Sequence, residues 1–377
     1  MNSPLAPTLP HPRPNRFEPR RRDLLRAMAM TGVAGLAACG GGGGASGTGG
    51  GAVGPAAGAV SVTDRFVQVS HTPDVSLQVR DWQRTGNTGP TIVLLAGLGA
   101  NARYFDSLAP ALAADSRVVA ISRRGYGLSD KPLPVRSATQ YYDTDTLTAD
   151  LKAVLDELGL PRVVLAGHSI AGNELTRFAG RYPERVQGLV YLDTTFHYRD
   201  IPDTGGEDPP VNAALDEPVP GDADHSSLQA AVAFNRRLVK NWWPALEANL
   251  RDALDVRPDG SVRPNTPDSA ATAMDVAAHD FVPDYRAVRA PSLVVTALPA
   301  TARDLLPWLE QPFDATTAKY AADLLRVIRR VYQTNSDRLV AALNTPHRLT
   351  LDNACHADFL MEREAEVLRA IRFMTWA

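Results

Sequence analysis

One serine in this chain stands where a hydroxyl can be made to attack. The stretch VLAGHSIAG puts Ser169 between Gly167 and Ala171, behind an apolar run and ahead of NELTRFAGRY, whose apolar residues recur at helical spacing. The pattern is G-x-S-x-G with alanine in place of the second glycine. A strand that turns this sharply into a helix strains the serine's backbone, and the residues two before and two after it must be small. Gly167 and Ala171 meet that demand. Such a bend exposes the hydroxyl and aims the first helical N–H groups, beginning with Ile170, at the same space. The plainer alternative is a strand-to-helix turn with Ser169 as its cap. A serine hydroxyl is a poor nucleophile without a base, so a histidine and a carboxylate must come from elsewhere in the chain. Eight histidines are present. His168 adjoins the serine, but neighbouring side chains at such a bend diverge, and it is expected to pack beneath the turn.

The elements that must position these groups follow from the apolar period. RFVQVS and VSLQVRDWQ alternate like two half-buried antiparallel strands. TIVLLAG (91–97), RVVAISR (117–123), RVVLAGHS, VQGLVYLD (186–193) and PSLVVTA (291–297) are apolar runs of the kind covered on both faces. HRLTLDN (347–353) is a last strand. Helical spacing separates them, in RYFDSLAPALAA, in DTLTADLKAVLDELGL (145–160) with Asp145 as its cap, after the serine, and from Asp358 onward. Alternating strands and helices predict an α/β fold, a mostly parallel sheet with helices on both faces. The interval 197–285 breaks the rhythm: a Pro/Asp/Gly-rich stretch is followed by helical pieces. Ligands bind at the carboxyl ends of parallel strands, so this interval reads as an inserted helical cap. His197 stands at its entrance and is a candidate for substrate contact.

The 377 residues are 44% hydrophobic with a formal charge of −3, enough for a large core and no argument for a nucleic-acid partner. The amino terminus reads as a bacterial export signal: Arg20, Arg21 and Arg22 precede a modest apolar stretch that closes at Leu36-Ala37-Ala38-Cys39. The run Arg21-Arg22-Asp23-Leu24-Leu25 resembles a twin-arginine signal. Residues 36–39 resemble a lipobox, which implies lipid on Cys39 and a protein held at the cell envelope by acyl chains alone. The signal spans 1–38. A glycine-rich tether covers 39–59, and the folded core is expected over 60–196 and 286–377. Cys39 and Cys355 are the only cysteines, and neither has metal-ligand spacing. No metal or cofactor is implied.

With these pieces in order, the chain from about residue 60 onward resembles the α/β-hydrolase family. AGLGANARYF matches its oxyanion loop, SRRGYGLSDKP (122–132) the turn after the next strand, GHSIAG the nucleophile elbow, and NACHADFLMEREAEVLRAI the region of its catalytic histidine. The resemblance implies His356 as the general base. It implies a main-chain oxyanion donor in the loop after the third strand, assigned to Leu98 N–H, beside Ile170 N–H. The common family pattern puts the acid a few residues after the strand at 291–297, yet Leu298, Pro299 and Ala300 stand there, and Asp304 is the first carboxylate. The other family position, at the end of the preceding strand, offers Asp193, which is preferred; Asp304 is the alternative. In this family the RRGYG segment is structural, so Arg123, Arg124 and Asp130 are not read as substrate contacts. Phe234, Trp242, Trp243 and Trp308 suggest an apolar pocket. The implied activity is carboxylic-ester hydrolysis on a small, apolar, ester-like substrate. Lactonase, thioesterase, C–C hydrolase and perhydrolase chemistries share the same residues. A non-catalytic ligand-binding lipoprotein remains the alternative of another class.

Overall fold

The computed structural model describes residues 58–199, 212–310 and 312–376. The export signal, the tether up to residue 57 and Cys39 lie outside the described residues. Two antiparallel strands open the fold, β1 (Ser61–His71) and β2 (Asp74–Gln83), followed by β3 (Ile92–Leu95), the short helix α1 (Leu108–Leu112) and β4 (Val118–Ile121). Helix α2 (Thr144–Glu157), β5 (Val163–His168), α3 (Ala171–Arg181) and β6 (Val186–Leu192) complete the first half. The eight-stranded sheet has the order β1-β2-β4-β3-β5-β6-β9-β10, where β9 is Ser292–Leu298 and β10 is Pro346–Asp352. All pairings from β4 to β10 are parallel, while β2 pairs antiparallel with both β1 and β4. This is the α/β-hydrolase fold.

The uniformly apolar strands are explained by cover on both faces. Along β3, Ile92 and Leu94 belong to one buried cluster and Val93 and Leu95 to the other, as the two-residue period requires. Helix α2 begins one residue before the sequence reading and is capped by Asp143, whose side chain accepts from Thr146 N–H at 2.9 Å. Asp145, the cap expected from sequence, instead sits in the first turn and pairs with Arg177 at 2.6 Å. A carboxylate two residues earlier reaches the free N–H groups, whereas Asp145 already points away from them.

Between β6 and β9 the described residues form α4 (Leu228–Arg236), α5 (Pro244–Asp252), a small hairpin of β7 (Leu254–Val256) and β8 (Val262–Pro264), and α6 (Asp268–Asp280). Two of these reach the sheet's carboxyl end. Asn249 on α5 accepts two 2.8 Å hydrogen bonds from Asn101 in the turn after β3, one from its N–H and one from its Nδ2. The Ala278 carbonyl of α6 accepts from Asn173 Nδ2 on α3 at 3.0 Å. After β9 come α7 (Ala302–Leu305) and the 28-residue α8 (Ala315–Ala342), then, beyond β10, α9 (Phe359–Glu362) and α10 (Glu364–Phe373). Helix α8 is the longest of the elements the sequence did not predict, beside the β7–β8 hairpin, α6 and α7. Its buried line Ala321, Leu324, Ile328, Val331, Asn335, Leu339 keeps helical spacing, but the polar Asn335 interrupts it and charged residues crowd the other faces.

Candidate active site

Ser169 sits between β5 and α3 with φ of 55°, in the left-handed region that non-glycine residues avoid at a cost of about 1–3 kcal/mol. The bend is held by backbone bonds: Ser169 N–H donates to Leu192 O at 3.1 Å, and its own carbonyl accepts from Gly172 N–H at 3.0 Å. The small neighbours are required by contact. A Cβ on Gly167 would stand 2.6 Å from Leu175 Cδ1 and 2.8 Å from Ala171 Cβ. A Cβ on Gly172 would meet Thr194 Oγ1 at 2.2 Å, so β6's exit packs directly on the elbow helix.

That exit carries Asp193, itself at φ of 50°. Asp193 Oδ1 accepts Ala297 N–H of β9 at 2.8 Å, and Oδ2 lies 2.5 Å from His356 Nδ1. One oxygen fixes the carboxylate to the sheet, and the other is left for the imidazole. The histidine comes from the loop between β10 and α9, so residues 163 positions apart in sequence meet here. With Nδ1–H donated to Asp193, Nε2 keeps its lone pair and is the atom that can accept a proton. Asp304 does not share this place. It caps α7 through Thr301, and its Oδ1 pairs with Lys240 Nζ at 2.7 Å.

His168 is not simply beneath the turn. Its ring stacks on Tyr104, centroids 5.1 Å apart, and lies 4.5 Å from the His356 ring. Burial first, and the nearby His356 second, hold its pKa well below the usual histidine value. It is therefore a neutral wall behind His356, and Tyr104 supports the same loop by donating to Ala357 O at 3.0 Å.

On the other side of Ser169, the turn after β3 presents Gly97, Leu98 and Gly99. Neither Leu98 N–H nor Ile170 N–H has a hydrogen-bond partner among the described residues. Gly99 has φ of 74°, a conformation that glycine adopts freely. The buried Arg123 fixes this turn: Nε pairs with Glu174 at 2.5 Å, and Nη1 donates to Gly97 O at 3.2 Å. Arg124 forms a two-pronged pair with Asp150, 2.6 Å at each prong, and Asp130 accepts Ser76 N–H at 2.7 Å. All three charged side chains are thus bound to the protein itself. His197 Nδ1 accepts from Arg199 N–H at 3.1 Å, four residues beyond Asp193.

The four aromatic residues expected to form one pocket are not all together: Trp242 and Trp243 pack against one buried cluster and Trp308 against another. Trp308 packs with Leu215 and Leu306, and its Nε1–H donates to Leu215 O at 3.3 Å. Trp242 donates to Glu247 at 3.2 Å with Arg236 over its ring, while Phe234 lies beneath Arg237. The helical period marked them as buried but could not tell which buried cluster each joins. The cluster that contains Ile170 is built from Tyr126, Tyr142, Leu147, Tyr198, Met274 and their neighbours, with Leu98 packed against it. Tyr198 was not found from sequence; no motif marks it, and only the path of the chain beyond β6 brings it close to Ser169 and Thr194.

A family model described as alpha/beta hydrolase fold matches residues 90–237. The chain is 29% identical over 224 residues to a 2-(acetamidomethylene)succinate hydrolase of Mesorhizobium japonicum, covering 59% of this chain and 73% of that one. It is 36% identical over 106 residues to a serine hydrolase-like protein of Danio rerio, a match that spans 28% of this chain and only 31% of the relative. Among solved structures, a thioesterase domain from the curacin biosynthetic pathway superposes with a TM-score of 0.59 at 15% identity, over 83% of this chain and all of that domain.

Proposed function

The chain has the α/β-hydrolase fold and its relatives include hydrolases, and from that premise we propose that it cleaves carboxylic esters through an acyl-enzyme on Ser169. The observation that carries the reading is the 2.5 Å contact of Asp193 with His356 Nδ1, together with a serine held at positive φ at the end of β5, the strand paired with the one that carries Asp193. Ser169 Oγ attacks the ester carbonyl carbon while its proton passes to His356 Nε2, and Asp193 stabilises the imidazolium. The carbonyl oxygen becomes an oxyanion that accepts from Leu98 and Ile170 N–H. As the intermediate collapses, the alcohol leaves with the proton from His356. Water then gives a proton to His356 and its hydroxyl to the acyl carbon. The second collapse returns the proton to Ser169 Oγ and releases the acid. Leu98, partly buried against the cluster that holds Ile170 and Met274, is the apolar group offered to the acyl or alcohol portion.

The test is labelling with a fluorophosphonate, followed by a panel of p-nitrophenyl esters of varied chain length beside lactones, thioesters and 2-(acetamidomethylene)succinate. Single-site labelling at Ser169 with the highest kcat/KM on esters is the expected result. Absence of labelling rejects the enzyme in favour of a binding protein, and a higher kcat/KM on another class reassigns the substrate while keeping the residues.

The amino-terminal reading belongs to the same proposal: export by a twin-arginine-type signal and lipid on Cys39 hold the enzyme at the cell envelope. Cys39→Ser should move the protein from the membrane fraction to the soluble fraction. Equal partition of the two forms rejects the anchor.

A further inference from the structure

The loop that carries His356 is gripped from outside by the connection between α4 and α5. Lys240 Nζ lies 2.7 Å from Asp304 Oδ1 and 3.0 Å from Glu362 Oε1, and donates to Asn353 O at 3.3 Å. The next residue, Asn241, donates its N–H to Asp358 Oδ2 at 3.1 Å and its Nδ2 to Glu362 Oε1 at 3.4 Å. Arg303 Nη2 closes the contact from α7 by donating to Lys240 O at 3.3 Å. The gripped positions, 353, 358 and 362, stand on both sides of His356. A tie at one end would let the loop pivot; ties at both ends fix where the imidazole can stand.

The charges make this tie more than incidental packing. Asp358 is fully buried, and Asp304 has no side-chain exposure. Asp304 and Glu362 converge on one ammonium, whose side chain is only 14% exposed, while Asp358 is held by the N–H of the next residue, Asn241. Removing one partner of a buried pair leaves an uncompensated charge, and here the groups left behind would repel one another under the loop. Asp304 thereby has a task that explains its burial: it anchors Lys240.

We infer that Lys240 is a positioning residue for His356, tying the α4–α5 connection to the base so that the two are set as one unit. The inference rests on the assignment of His356 as the base. A misplacement of about 1 Å in a reacting group can cost about a hundredfold in rate, so a loosened loop is read in kcat. Lys240→Met keeps the length of the side chain and removes its charge; Lys240→Arg restores a donor. The expected result for Lys240→Met is a fall in kcat of about ten- to a hundredfold with KM changed less than about threefold. Lys240→Arg should recover to within about threefold of the parent. The downfield proton resonance of His356 Nδ1–H, sheltered by its bond to Asp193, should broaden in Lys240→Met and return in Lys240→Arg. A folded Lys240→Met protein with parental kcat and an unchanged resonance overturns the inference. So does a loss that Lys240→Arg fails to rescue. Should Lys240→Met not fold, Glu362→Gln carries the test, since it weakens one anchor and keeps the Lys240–Asp304 pair. Reduced kcat at parental KM supports the tie, and parental kcat overturns it. Fluorophosphonate labelling of the parent separates this outcome from failure of the hydrolase reading itself.

Discussion

Replacing Ser169 by alanine should reduce ester turnover by at least about 10⁴-fold and leave the fold intact. Both halves of that expectation have a structural reason. The bend is maintained by main-chain bonds, Ser169 N–H to Leu192 O and Gly172 N–H to Ser169 O, and is permitted by the absence of a side chain at Gly167, where a Cβ would collide with Leu175 and Ala171. None of these uses the hydroxyl. Alanine tolerates the positive φ about as well as serine does, so the thermal midpoint should stay within a few degrees of the parent. What disappears is the atom that would bond to carbon, and His356 is left with no serine proton to take. The residual rate is what oriented N–H groups and substrate binding give without covalent chemistry. The measurement is kcat on the best ester of the panel together with fluorophosphonate uptake. Parental activity in a well-folded Ser169→Ala protein would mean that the bend is only a turn.

Asp193→Asn should come next in severity, with kcat lowered by about 10³- to 10⁴-fold. An asparagine can still offer its oxygen to Ala297 N–H, in the place that Asp193 Oδ1 occupies at 2.8 Å, so the strand junction survives. Its amide NH₂ then faces His356. That group donates and cannot accept from Nδ1–H, so the imidazole is driven to the tautomer with its proton on Nε2. In that form it has no lone pair for the serine, and no carboxylate charge steadies the imidazolium. Asp304→Asn makes a sharp control. It weakens the anchor of Lys240 at 2.7 Å but leaves the Asp193–His356 contact, so its kcat should fall by only about tenfold. Measuring kcat and thermal midpoint for both variants decides the matter. A larger loss of turnover in Asp304→Asn would transfer the acid's role away from Asp193.

The ordering of strands and helices was legible because each buried parallel strand is a short, wholly apolar run and each covering helix repeats with its own period. The elbow was legible because its geometry restricts side-chain size at fixed offsets, so Gly167 and Ala171 mark Ser169 without any knowledge of the rest of the chain. Helix α8 escaped because its buried line passes through Asn335, which a periodicity argument counts as a break. The cap of α2 was misplaced by two residues because Asp143 and Asp145 are both acceptable caps in sequence, and only the backbone's entry angle chooses between them.

The sequence by itself determined the layered α/β architecture, the bend at Ser169 and the short list of partners it could have. Those properties depend on local size, polarity and period, which neighbouring residues carry in full. The tertiary structure alone decided that Asp193 faces His356 while Asp304 faces Lys240, that the His168 ring lies against that of His356, and that Tyr198, Trp243 and Tyr285, all between β6 and β9, join separate clusters. Each of those facts is a meeting of groups far apart along the chain. A carboxylate's sequence position limits where it can reach, but the partner it finds is set by how β6, β9 and β10 lie side by side and by which loop crosses above them.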